Sequence, residues 1–100
     1  MNFIEKYAIK PIKTTMSDGT EIFIKELNYK GAMAVASEYD PAERALATLI
    51  NGLCDESGKN VFAEEQRDWI KENLPVQIIQ EVASMIANVS QRDLLKKSEA

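Results

Sequence analysis

The spacing of apolar residues changes once along this chain, close to Leu27, and that change constrains the fold more than any other feature. Before it, apolar and polar residues alternate, as they do from Ile12 to Met16, which is typical of a half-buried strand. After it, apolar residues recur every three or four positions, which is typical of helices that bury one face. The sequence therefore predicts a short strand region followed by a longer helical region.

A turn signal divides the strand region in two. Asp18-Gly19 lies between two β-prone runs, and glycine adopts the positive φ angles of tight hairpin turns without steric cost. Pro11 lacks a backbone N–H, so its strand either lies at a sheet edge or begins after it. The sequence therefore predicts a β-hairpin over residues 9–26. The residues before it form an N-terminal arm, 1–8, whose first seven residues fit a short helix, a strand or an ordered tail.

Two capping signals begin the helical region. Asn28 can cap a first helix, one face of which carries Tyr29, Ala32, Met33 and Ala36. Asp40 and Pro41 mark a second start, because aspartate caps helices and proline is harmless at the first helical position. The apolar stripe of this second helix comprises Ala42, Ala45, Leu46, Leu49, Ile50 and Leu53.

Two further helices follow a polar turn at residues 55–60. The third is expected over 63–73, and its inward-facing candidates are Phe62, Trp69, Ile70 and Leu74. Trp69 lies opposite the acidic residues of that helix, so we expect it to be mostly buried. Pro75 opens the fourth helix, whose apolar positions are Ile78, Ile79, Val82, Met85, Ile86 and Val89.

These elements predict a single domain of the α+β class that is predominantly helical. A small N-terminal β-hairpin precedes a cluster of four or so short helices around one core. The expected boundaries are an arm at 1–8, the hairpin at 9–26, a helical core at 28–89 and a C-terminal tail at 90–100.

Charge and cysteine content exclude several classes of protein. The formal net charge is −4, and the acidic excess lies beyond residue 30. Nucleic acids and anionic membranes select basic surfaces, so neither is an expected partner. Cys54 is the only cysteine, which rules out a disulfide within the chain and makes a reducing cytoplasm the default setting.

The residues needed for catalysis or metal binding are missing or badly placed. The chain contains no histidine, the commonest general base and transition-metal ligand. Cys54 precedes Asp55 and Glu56, and acidic neighbours raise the pKa of a thiol and make it a poor nucleophile. An EF-hand loop aligned on Gly58 would place Leu53 at the first ligand position, where leucine cannot bind calcium. We therefore expect no enzyme activity, no cofactor and no metal site.

Two apolar groups have no place in the core pattern. Phe3, Ile4 and Tyr7 precede the hairpin, and Leu94 and Leu95 follow the last strong helix. They are candidates for binding a partner or a second copy of the chain. The alternative is that they fold back over the core of their own monomer, and the sequence leaves both possibilities open.

The order of elements resembles the tail assembly chaperones of long-tailed, siphovirus-type bacteriophages. The similarity is carried by the Asp-Gly hairpin at 16–24, the helix–turn–acidic helix run at 46–65, and the Leu74-Pro75 entry to a final amphipathic helix. It implies a chaperone that binds the phage tape measure protein, keeps it soluble and helps recruit tail tube subunits. It also implies action in the host cytoplasm and absence from the mature virion. The other function that fits is a small acidic regulatory adaptor or an antitoxin-like binding module.

Overall fold

The computed structural model describes residues 2–90 and places a β-hairpin in the first third of the chain. Strands β1 (Ile12–Thr15) and β2 (Glu21–Ile24) pair antiparallel. Gly19 has a φ of 92°, and the Asp18 carboxylate accepts a hydrogen bond of 2.9 Å from the Thr20 N–H. The predicted hairpin and its turn are therefore confirmed.

A third strand, β3 (Leu53–Cys54), extends the sheet in the order β1-β2-β3. It pairs antiparallel with β2, with Phe23 opposite Cys54 and Ile24 opposite Leu53. The sequence did not predict this strand, because two residues are too few to show a period. The pairing instead depends on β2, which arrives from thirty residues earlier in the chain.

The helices follow the predicted order. Within residues 2–90 they are α1 (Phe3–Tyr7), α2 (Tyr29–Ala36), α3 (Pro41–Gly52), α4 (Arg67–Asn73) and α5 (Val76–Ser90). Asn28 caps α2 by accepting from the Gly31 N–H at 2.7 Å, and Asp40 caps α3 by accepting from the Ala42 N–H at 2.9 Å. The predicted third helix begins with a 3₁₀ turn at Glu64–Gln66, so α4 itself starts later than expected.

One core lies between the sheet and helices α3, α4 and α5. Its buried members are Met16, Ile24, Leu46, Leu49, Ile50, Ile70, Ile79, Val82 and Ile86. Helices α3 and α5 run side by side in the same direction, because Gly52 near the end of α3 faces Ile86 near the end of α5. At their first turns they separate, and this separation positions the groove described below.

Helix α2 buries a different face from the apolar one that the sequence predicted. Tyr29 is 80% exposed and Met33 is 48% exposed, so most of the predicted inward face points to solvent. Gly31 is buried instead, and a Cβ at this position would lie only 3.2 Å from Cβ of Asn51 in α3. The helix approaches α3 through its smallest residue, since that residue allows the closest contact between the two backbones.

The expectation that Trp69 is mostly buried is wrong. Trp69 is 51% exposed, whereas its neighbour Ile70 is fully buried. The inner face of α4 is formed by Arg67 and Ile70, and the Arg67 side chain is only 16% exposed. Arg67 occupies this position because carboxylates from earlier parts of the chain surround it.

Candidate protein-binding surfaces

Helix α1 presents an exposed apolar face. Phe3 is 76% exposed, Ile4 is 74% exposed and Tyr7 is 46% exposed. The helix is capped by Asn2, whose side chain accepts from the Glu5 N–H at 2.8 Å, and the rings of Phe3 and Tyr7 contact each other at 4.9 Å between centroids. The three predicted residues are therefore brought together on one short helix. We call residues 2–8, with this face, the apolar arm.

The apolar arm joins the body at the C-terminal end of α3. Ile12, at the start of β1, is opposite Ile24, and Ile24 is opposite Leu53, which directly follows α3. Pro11 lies beside Gly58 in the turn after β3, where a Cβ on that glycine would lie 3.6 Å from the proline ring. The register of the sheet thus places the arm at one identifiable end of the molecule.

The exposed face of α2 is a second apolar surface. Tyr29 and Met33 are one helical turn apart, and Ala36 continues the same face. Methionine is flexible and polarisable, and alanine allows a partner helix to approach closely. An exposed helix stripe with this composition is suited to packing against another helix.

Trp69 and Phe62 form a third, smaller apolar surface on the outer side of α4. Their ring centroids are 5.9 Å apart. Phe62 is half-buried against the core, whereas Trp69 remains largely in contact with solvent. Phe62 packs against the core, and one side of the Trp69 indole remains exposed to solvent.

An open groove lies at the opposite end of α3 from the arm. It has a volume of about 710 Å³ and lies between the first turns of α3 and α5 and the end of α4. The apolar side chains in its walls include Ala42, Ala45, Leu46, Leu74, Val76 and Ile79. We call this feature the α3–α5 groove. Val76 is 64% exposed, so the groove is accessible to a partner.

Charged side chains border one wall of the groove. Glu43 accepts a hydrogen bond of 2.8 Å from Arg67, and its other oxygen lies 3.0 Å from Nζ of Lys71. Arg67 also contacts Glu64 at 2.6 Å and Glu38 at 3.3 Å. This network joins α4 to α3 and to the segment before it, and it fixes the wall of the groove formed by α4.

The network lowers the pKa of Glu43. Hydrogen bonds from Lys71 and then from Arg67 hold the pKa of the Glu43 carboxyl below its ordinary value. Glu43 therefore stays ionised when other carboxyl groups begin to protonate. Asp40, which caps α3, adds a second carboxylate to the lining of the groove.

Cys54 is placed as a structural residue. It is 3% exposed within β3, and burial raises the pKa of its thiol, although the charge of Lys25 acts in the opposite direction. The neighbouring turn is closed by Asp55, whose carboxylate accepts from the Ser57 N–H at 2.9 Å and from the Lys59 N–H at 3.0 Å. Within residues 2–90, no three His, Cys, Asp or Glu side chains are grouped in a way that could hold a metal ion.

The second predicted apolar group, Leu94 and Leu95, lies outside the described residues, and its role stays a prediction. Over residues 2–90, no helix combines the length and the hydropathy that crossing a membrane requires.

Sequence reasoning missed the α3–α5 groove. It assigned Ala42 and Ala45 to the buried stripe of α3, but Ala42 is exposed and Ala45 is only partly buried. The sequence feature that could have indicated the groove is the size of the side chains along the stripe. The stripe begins with alanines and continues with leucine and isoleucine, so its first turn cannot fill the space beside α5.

Comparison with known proteins relates the chain to one solved fold. No protein-family model and no curated protein matches the sequence. The structure is similar to that of the bacteriophage HK97 tail assembly chaperone, with a TM-score of 0.55 and 15% sequence identity over 88% of this chain and 90% of that chain. The similarity that the order of elements suggested is thereby confirmed for the fold.

Proposed function

We propose that this protein is a non-enzymatic tail assembly chaperone that binds the tape measure protein of a long-tailed bacteriophage. It keeps that protein soluble and helps to recruit tail tube subunits. The observation that carries the proposal is the shared fold with the HK97 tail assembly chaperone over nearly the whole length of both chains. A protein with this role acts in the host cytoplasm and is absent from the finished virion.

The surface of the molecule supports a chaperone role on physical grounds. A tape measure protein exposes long apolar helical stripes before the tail is complete, and such stripes aggregate unless they are covered. The α2 face, with Tyr29, Met33 and Ala36, can pack along a helix of this kind. The net charge of −4 keeps the covered complex soluble through mutual repulsion.

Co-expression with the tape measure protein of the same genome tests the proposal. We expect the tagged tape measure protein to move from the insoluble to the soluble fraction and to carry this chain through affinity purification. Met33→Asp should reduce both effects, because it places a charge in the centre of the α2 face. Val61→Asp is the matched control, since Val61 and Met33 are both 48% exposed.

Two results would contradict this function. The first is a tape measure protein that stays insoluble and does not co-purify when this chain is present. The second is equal loss of solubility with Met33→Asp and Val61→Asp, which would show that the α2 face has no specific role. Circular dichroism of both variants checks that each is folded.

A further inference from the structure

We propose that the apolar surface formed by Phe62 and Trp69 is a docking site for a basic amphipathic helix of a partner protein. We call this pair of residues the aromatic surface. In the docked complex, an arginine or lysine side chain of the partner lies on the Trp69 indole, and further basic side chains face the carboxylates beside it. Trp69 is on a different helix from the α2 face, so the occupant can be tested without the tape measure protein.

The aromatic surface leaves a large apolar area in contact with water. About half of Trp69 is exposed, although tryptophan is among the largest apolar side chains. The Phe62 ring contacts the indole at 5.9 Å between centroids and is itself packed against the core. The core therefore holds the exposed ring in place through Phe62. Tryptophan residues fixed in this way are among those that most often dominate the energy of a protein interface.

Three exposed carboxylates border the aromatic surface. Asp68 directly precedes Trp69, and Glu72 follows it by three residues on α4. Glu65 lies four residues before Trp69, in the 3₁₀ turn that leads into the helix. Side chains three or four residues apart are neighbours on the surface of a helix. Within residues 2–90, none of the three carboxylates forms an ion pair, so the border of the surface carries uncompensated negative charge.

The basic residues of α4 do not neutralise this border. Arg67 and Lys71 both bind Glu43 of α3, at 2.8 Å and 3.0 Å. Charges are therefore paired on the side of α4 that faces α3, whereas the outer side is aromatic and negative. An acidic partner would be repelled from the outer side, and an uncharged one would bury carboxylates without pairing them. A basic partner avoids both costs.

The spacing of the carboxylates favours a helix as the form of the occupant. Glu65 and Glu72 are two helical turns apart, roughly 10 Å along the axis, and Trp69 lies between them. Basic side chains one and two turns apart on a partner helix have the same spacing. An arginine or lysine placed over the indole gains a cation–π interaction, and this interaction is strongest with tryptophan. The apolar face of the same helix can cover the rest of the ring.

The fluorescence of Trp69 reports on this surface alone, because the chain has no other tryptophan. The probe is a synthetic, tryptophan-free helical peptide with a face of leucines bordered by arginines. Its control peptide has glutamate in place of every arginine. We expect the basic peptide to shift the emission to shorter wavelength in a saturable manner, and the acidic peptide to bind at least tenfold more weakly. Spermidine, a polycation without an apolar face, should cause no such shift.

Substitutions locate the binding, with the affinity for the basic peptide measured by calorimetry. Glu72→Lys should weaken it at least tenfold. Its matched control is Glu56→Lys, which changes the net charge equally at another exposed residue and should have less than a twofold effect. Trp69→Ala should also weaken binding at least tenfold, and Trp69→Phe clearly less, because it keeps an aromatic face. Tyr39→Ala removes another exposed ring and should have no effect. Circular dichroism checks that each variant is folded.

Several results would overturn the proposal. One is equal binding of the basic and acidic peptides, and another is an emission that neither peptide changes. Equal weakening by Glu72→Lys and Glu56→Lys would also overturn it, since net charge would then be the only attraction. A shift of the emission when the protein alone is concentrated would identify a second copy, and not a basic helix, as the occupant.

Discussion

Gly52 sets the distance between α3 and α5. A Cβ at this position would lie 2.7 Å from Cδ1 of Ile86, well inside van der Waals contact. Glycine normally weakens a helix by about 1 kcal/mol relative to alanine. Here it allows the backbone of α3 to approach the buried Ile86 side chain of α5 closely.

Gly52→Ala should therefore destabilise the protein by about 1–3 kcal/mol despite the better propensity of alanine, because the new methyl group overpacks the core. Chemical denaturation measures the change in the free energy of unfolding. In the Ile86→Ala background, which removes the clashing atoms, the same substitution should be close to neutral. An equal cost in both backgrounds would show that contact with Ile86 is not the cause.

Ile70 and Trp69 are adjacent in α4 and differ sharply in burial. Ile70 is completely buried and Trp69 is 51% exposed. We expect Ile70→Ala to cost about 2–5 kcal/mol in the free energy of unfolding and Trp69→Ala clearly less, because only the first leaves a cavity in the core. Denaturation curves of the two variants check the order. The tryptophan emission of the unaltered protein should lie between that of buried and free indole, and a larger cost for Trp69→Ala would contradict the arrangement of α4.

At the scale of elements, the contact between α4 and the start of α3 depends on charge. Arg67 contacts carboxylates from three separate segments, and Lys71 supports Glu43 from the next turn of α4. A helix as short as α4, with seven residues, is not stable by itself in water. Its position depends on Ile70 in the core and on this network at its edge.

The network gives the protein a specific dependence on pH. The pKa of the Glu43 carboxyl in the folded protein lies below its ordinary value of 4.5 because of Lys71 and Arg67. The stabilisation is therefore complete above that ordinary value and is lost as the pH falls through the lower, folded-state pKa. Glu43→Gln should be less stable than the unaltered protein at pH 7, and the difference should shrink on acidification.

Urea denaturation at pH 7 and at about pH 3 compares the two proteins across the range in which carboxyl groups protonate. Asp18 and Asp55 also have lowered pKa values, owing first to hydrogen bonds from Thr20 and Ser57 respectively. Both proteins will therefore lose stability in acid, and only the difference between them reports on Glu43. A difference that stays constant or grows in acid would contradict this assignment.

At the scale of the whole molecule, the apolar arm, the α3–α5 groove and the α2 face have separate positions. The arm lies at the C-terminal end of α3, the groove lies at its N-terminal end, and the α2 face lies on a different helix.

The sequence by itself determined several features whose cause lies within a few residues. The Asp18-Gly19 turn, the Asn28 and Asp40-Pro41 helix starts and the apolar stripe of α5 all depend on local backbone preferences and on a regular period. The exposure of Phe3, Ile4 and Tyr7 was among the possibilities that it left open, because these residues belong to no regular apolar period.

The tertiary structure decided which faces meet. Strand β3 exists because β2 passes beside Leu53 and Cys54. Helix α2 turns Gly31 inward because Asn51 of α3 leaves little room for a side chain there. Arg67 replaces Trp69 on the inner side of α4 because Glu38 and Glu43 arrive from a distant segment. The α3–α5 groove has the same origin, since an unfilled space between helices depends on the sizes of residues that are far apart in the chain.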